Sequence, residues 1–180
     1  MYGNSYDKDS TNYGLLENVI QQNIILGNYE EAYKFSLKLI EVDNFRNLNN
    51  THRIGHAFWL VGKQEEAKIY FDKQIRYCEE SIRLNRWYGV VKYAYWDMAG
   101  VYAFLGDKEK AYQYLDEVDK LSFYPTWWVT LAKTDPLFNS IREEERFQQI
   151  LRNMEAKNFK AHERVRMWLE EEDLRGYLDR

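Results

Sequence analysis

The chain of 180 residues carries 25 Lys and Arg against 29 Asp and Glu, a net charge of −4, with 9 glycines and 2 prolines. That is one domain's worth of chain, poor in breakers and long enough to bury a continuous core, as in a soluble helical protein. Mild acidity without a Lys/Arg block excludes a general nucleic-acid or anionic-membrane surface, and the single Cys78 excludes an internal disulfide and a cysteine-rich zinc module.

Residues 1–13 read as a flexible N-terminal segment. The first fourteen residues are polar and small, with no basic start followed by an apolar stretch, so no secretory signal is expected and the cytoplasm is the default location. No uncharged run exceeds twelve residues, and Leu121 to Ala132, which reaches that length, includes Pro125 and falls short of the roughly 20 apolar residues of a spanning helix.

From residue 14 onward the chain repeats itself. Gly27-Asn-Tyr-Glu-Glu-Ala32, Gly62-Lys-Gln-Glu-Glu-Ala67 and Gly106-Asp-Lys-Glu-Lys-Ala111 each place an alanine five residues after a glycine, between two apolar helical stretches. The glycine ends one helix in a left-handed cap, the acids open the next, and the alanine lets the two helices approach. The pattern predicts a helical hairpin written three times, with the glycines 35 and 44 residues apart. The surplus in the second interval falls in 72–88, where apolar residues continue without an obvious breaker, so an elongated second helix is expected there. Tyr124-Pro125-Thr126-Trp127-Trp128 looks like the start of a fourth first-helix, and Asp135-Pro136 is a helix-start signal. The repeats divide as 14–48, 49–88, 89–124 and a partial 125–142. Residues 143–180 form a long C-terminal helix and tail, because Phe147, Ile150, Leu151, Met154, Ala161, Val165, Trp168 and Leu169 recur at helical spacing with no glycine or proline before Leu174.

The three hairpins resemble the tetratricopeptide repeat, a unit of about 34 residues of antiparallel helix pair. That pattern also wants a small residue seven before the turn glycine and an aromatic about four before it. Gly55 and Phe58 match in the second repeat and Ala99 and Tyr102 in the third, whereas the first offers Ile20 and Asn23 and reads as a capping element. The segment Thr134 to Leu151, followed by His162 to Leu169, is similar to the tail after such arrays in bacterial signalling and transcription regulators. The resemblance implies an all-α superhelix of antiparallel hairpins, capped by the long C-terminal helix, with a concave groove lined by the first helix of each pair.

Counting back from the turn glycines, the resemblance implies groove positions at Glu17 and Gln21, at His52, His56 and Trp59, and at Tyr93, Trp96 and Gly100. Arrays that clamp a chaperone's terminal carboxylate use Lys, Asn and Arg there; their absence argues against that ligand. His52 and His56, four apart, could share a metal, but no third ligand is near in sequence, and packing or groove lining is the better reading. Trp59, Tyr93 and Trp96 are candidates for exposed stacking platforms among 15 Tyr, 9 Phe and 6 Trp. With no phosphate loop or nucleophile elbow, no enzyme or cofactor is expected. The acidic run Glu170 to Asp173 reads as a solvated face. The sequence therefore points to a non-catalytic scaffold holding a peptide or helix of a partner protein, with no direct nucleic-acid or membrane contact. The alternative is a self-assembly or regulatory module, monomer or homodimer, whose C-terminal helix fills its own groove or pairs through Phe147, Ile150, Met154, Val165 and Trp168. A small-molecule or saccharide binder is the third reading.

Overall fold

A computed structural model of the chain describes residues 12–43, 50–122 and 124–171; the expected N-terminal segment before residue 12, and the tail with Glu172 and Asp173, lie outside them. The described residues form nine α-helices and no strand: α1 (Tyr13–Ile25), α2 (Tyr29–Asp43), α3 (Thr51–Leu60), α4 (Gln64–Arg83), α5 (Trp87–Val90), α6 (Tyr93–Leu105), α7 (Lys108–Asp119), α8 (Thr126–Thr134) and α9 (Glu145–Glu171). The expected all-α stack of helical hairpins is the fold observed.

Each turn glycine does what its position requires. Gly27, Gly62 and Gly106 have φ of +78°, +85° and +87°, and the residue after each donates its backbone N–H to the carbonyl five positions back, Asn28 to Asn23, Lys63 to Phe58 and Asp107 to Tyr102. This closes the preceding helix and reverses the chain. The incoming helix is favoured by acids in its first turn, Glu30 and Glu31, Glu65 and Glu66, and Glu109. Ala32, Ala67 and Ala111 are fully buried where the paired helices touch. At Gly55 a β-carbon would stand 3.0 Å from the Ala67 carbonyl oxygen, so α3 and α4 meet backbone to backbone at this point.

The core is continuous only from neighbour to neighbour, as in other repeat arrays. Leu16, Ile20, Ile24, Leu39, Ile54, Phe58 and Phe71 join the first two hairpins, with Val101 reaching in from α6. A second cluster runs from Cys78 and Trp96 through Leu115, Trp128, Phe138 and Ile141 to Phe147, Ile150, Leu151 and Met154. Tyr13–Ile25 and Tyr29–Asp43 form a true first hairpin, in which Ile20 takes the place of the small residue and is itself fully buried.

One expectation about helix length is corrected. The long second helix of the second repeat ends at Arg83, and its surplus becomes the separate α5. Asn85 adopts φ 50° and Arg86 donates its N–H to the Ser81 carbonyl, which is the glycine-turn closure made by an asparagine. The backbone of α5 then presses on the end of α4: a β-carbon at Gly89 would lie 2.6 Å from the Ser81 oxygen and 2.9 Å from the Ile82 α-carbon. Asp135-Pro136 opens a 3-10 turn at Pro136–Phe138, capped by Asp135 accepting from the Leu137 N–H at 3.0 Å.

The C-terminal helix α9, 27 residues and about 40 Å long, packs on α7 and α8. Phe147, Ile150 and Met154 are buried in this chain's own core, so they are not available as an assembly face. Only Val165 and Trp168 of the five residues expected there are exposed, together with Phe159 and Met167. The reason is length: Asn153 and Lys157 bond Asp119, and the Tyr124 N–H donates to Asn158, the last hydrogen bond between α9 and the array among the described residues.

Substituting Gly89→Ala should destabilise the chain by about 1–3 kcal/mol, because backbone cannot yield as a flexible side chain would. Urea unfolding measures it, and an unchanged midpoint would show that α5 can lift from α4 at no cost.

Candidate functional site

The first helices of the hairpins, α1, α3, α6 and α8, line a concave cavity of about 630 Å³, with α5 closing one side. Glu17, Asn18, Gln21 and Gln22 come from α1, Asn50 and Arg53 from the start of α3, Tyr93, Trp96 and Asp97 from α6, and Trp127, Thr130 and Leu131 from α8. Trp87 and Tyr88 of α5 complete the wall. No residue of α9 lines the cavity, so the described part of the C-terminal helix does not fill this groove.

Of the eight expected groove positions, Glu17, Gln21, Tyr93 and Trp96 line the cavity, and His52, His56, Trp59 and Gly100 do not. Helix α3 is packed against α1, α2 and α4, so residues 51–58 are buried almost without a break and only one edge of the helix reaches the cavity. That edge carries Arg53, one position round the helix from His52. His56 and Trp59 instead pack on Phe104 of α6, with ring centroids 4.6 and 5.5 Å away. Desolvation lowers both histidines, His56 to about 4 and His52 well below the ordinary value, so both are neutral at physiological pH. No cluster of three or more metal-ligating side chains occurs among the described residues.

Trp96 is also corrected as an exposed platform. It touches the cavity but is 3% exposed, stacked on Trp128 at 4.9 Å with ring planes 8° apart. The exposed platforms are Trp87 at 65% and Trp127 at 48%, neither of which the turn-glycine register selects. Tyr93 bridges them, 5.3 Å from Trp87 and 5.9 Å from Trp127. Together the three rings make one aromatic wall.

The floor is polar and was not expected. Arg53 and Asp135, both buried, form an ion pair at 2.5 Å that joins the second hairpin to the turn after α8. The guanidinium offsets the desolvation of Asp135, and the Leu137 N–H adds to this, so the Asp135 carboxyl stays below its usual range. Asp97 is different. Burial dominates and lifts it to about 7, although the Tyr88 hydroxyl donates to its Oδ2 at 2.5 Å and Arg53 lies nearby. Gln74 donates to the same oxygen at 2.8 Å, while Oδ1 accepts no hydrogen bond among the described residues and lies 3.9 Å from His52 Nε2, beyond bonding distance. The sequence did carry a signal for these residues. Asp97 is the lone acid in the apolar run of α6, and Arg53 the lone cation in α3.

The stacked hairpins and their concave cavity define an α-helical repeat array. Residues 52–86 and 93–124 each match the tetratricopeptide repeat model, so the second and third hairpins are similar to repeats of that family. Repeats of this kind generally mediate protein–protein interaction and are typically non-catalytic. No curated protein and no solved structure matches the chain significantly. No helix among the described residues is long and apolar enough to cross a membrane.

Removing one partner of the buried pair leaves the other charge stranded. Arg53→Met should cost about 3–5 kcal/mol, and adding Asp135→Asn, which keeps an acceptor for Leu137, should recover part of that loss. A double-mutant cycle from urea unfolding decides, and simple additivity would show that the pair is not coupled. Asp97 makes a separate prediction with a definite sign. It keeps its proton to about pH 7 when folded but only to about pH 4 when unfolded. Its stabilising contribution is therefore complete below pH 4 and lost as the pH rises through 7. Asp97→Asn should gain stability relative to the parent chain between about pH 4 and 7, and a difference independent of pH would contradict the buried, protonated carboxyl.

Proposed function

We propose that this protein is a non-catalytic scaffold that holds an extended or helical segment of a partner protein in the cavity between α1, α3, α6 and α8. One observation carries the reading: the cavity joins an exposed aromatic wall, Trp87, Tyr93 and Trp127, to a floor of fixed polar groups. Rigid aromatics supply contact area at small entropic cost, and polar groups set the orientation of what lies on them. The likeness of the tail to those of bacterial signalling and transcription regulators supports a place in such a system, in the cytoplasm, with no direct contact to nucleic acid or membrane.

A second reading rests on α9. Phe159, Val165, Met167 and Trp168 expose apolar surface on the part of the helix beyond the array, which supports self-association as a homodimer through that segment. Sedimentation of the parent chain and of Val165→Lys/Trp168→Lys separates the two: a parent monomer at every concentration removes the dimer.

Peptide display against the immobilised protein tests the groove. Selected peptides should bind the parent chain at least about tenfold more tightly than the Trp87→Ala/Trp127→Ala variant, whose circular dichroism and unfolding midpoint should stay close to the parent's because both rings are largely exposed. Peptides that bind both proteins equally would move the site elsewhere.

A further inference from the structure

The charged groups about the cavity floor are engaged within the chain. Arg53 pairs with the Asp135 side chain, Arg142 donates to the Asp135 carbonyl, and Glu17 is engaged as well. Asp97 accepts from both Tyr88 and Gln74. What the wall offers a ligand is ring faces and hydrogen-bond donors. The side-chain nitrogen of Gln21, on the cavity lining, is buried without a partner, and the indole N–H groups of Trp87 and Trp127 stand on exposed rings.

A helical ligand brings these donors few acceptors, because most of its carbonyls are bonded along the helix. An extended segment presents its carbonyls freely, and the spacing of the rings narrows which extended form fits. Tyr93 lies 5.3 Å from Trp87 and 5.9 Å from Trp127, so the two outer rings stand no further apart than those two distances together. A polyproline II segment presents the same face at every third residue, about 9 Å along its axis, which lies within that limit.

Proline holds a chain in that form before binding, so little freedom is lost on docking. Its compact apolar ring packs on the electron-rich faces of indole and phenol. It also carries a carbonyl acceptor with no N–H. Other residues would bring an N–H with each carbonyl, and every one would need an acceptor in the groove or stay unpaired at a cost. The cavity, at about 630 Å³, has room for several residues.

We propose that the groove takes a proline-rich segment of its partner in the polyproline II form, with pyrrolidine rings packed on Trp87, Tyr93 and Trp127 and main-chain carbonyls accepting from the Gln21 amide and the indole N–H groups. This rests on the groove reading above and names what the groove selects. Rings and carbonyls are then read together, as in other aromatic-lined grooves that bind such segments.

The probes are three blocked hexamers, titrated into the full chain while the indole N–H resonances are followed by NMR. They are hexaproline, hexa-N-methylglycine, which also lacks N–H groups but has neither ring nor preset backbone, and an alternating Gly-Ser peptide. Trp87→Phe and Trp127→Phe assign the two wall signals. Hexaproline should shift both signals saturably at millimolar concentration, and each of the other two hexamers should bind at least about tenfold more weakly. Gln21→Ala should weaken hexaproline severalfold. The proposal is overturned by a lack of response to hexaproline at the two wall signals, by equal binding of either other hexamer, or by an unchanged affinity in Gln21→Ala. Tighter binding of maltohexaose, run as a fourth probe, would overturn it in favour of a saccharide. Display-selected peptides that still need Trp87 and Trp127 but contain no proline would sink the proline while leaving the groove in place, and peptides indifferent to both tryptophans would remove the groove as well.

Discussion

The buried ion pair between Arg53 and Asp135 is the contact on which the concave face depends. The two residues are 82 positions apart, and the bond carries the start of the second hairpin across to the turn that follows α8. Most cohesion in a repeat array passes between adjacent hairpins, so little in such an array fixes its overall curvature. A buried, charge-assisted bond that reaches past the third hairpin supplies that constraint. It also explains a cation so close to an apolar core: Asp135 is needed as the cap of Pro136–Phe138, and a buried carboxylate requires a counter-charge.

The groove inherits its chemistry from this arrangement. With Arg53 held by Asp135 from behind the lining, the acids on the cavity lining among the described residues are Glu17 and Asp97. Asp97 sits where α4, α5 and α6 converge, accepting from Gln74 and Tyr88. The short α5 is therefore more than surplus length in the second repeat. It brings Trp87 to the rim and Tyr88 to the floor, and its close seating on α4, which only a glycine at position 89 permits, sets where both rings lie. A structural irregularity in the repeat thus coincides with the part of the wall most available to a ligand.

The C-terminal helix plays two roles along its length. Its first half closes the array, burying Phe147, Ile150, Leu151 and Met154 as another hairpin would. Lys157 holds it there through Asp119 and Tyr124. Its second half keeps the same apolar periodicity but has no array beneath it, which leaves Val165 and Trp168 in solvent. The helix carries one stripe, and only part of it is used within the chain.

The sequence by itself determined the hairpins. A glycine with positive φ, acids in the next first turn and an alanine at the crossing are local requirements, and local requirements leave local marks at Gly27, Gly62 and Gly106. The register that the resemblance implies also selects Glu17, Gln21, Tyr93 and Trp96, four residues that line the cavity. Only the tertiary structure decided which face of α3 reaches the cavity, because the helix is covered on several sides and a shift of one position exchanges His52 for Arg53. The break at Asn85 leaves a fainter mark in the sequence, because asparagine makes the left-handed turn less often than glycine. The Arg53–Asp135 bond and the aromatic wall of Trp87, Tyr93 and Trp127 join residues from distant repeats. Such contacts follow from the curvature of the whole stack, which no single segment encodes.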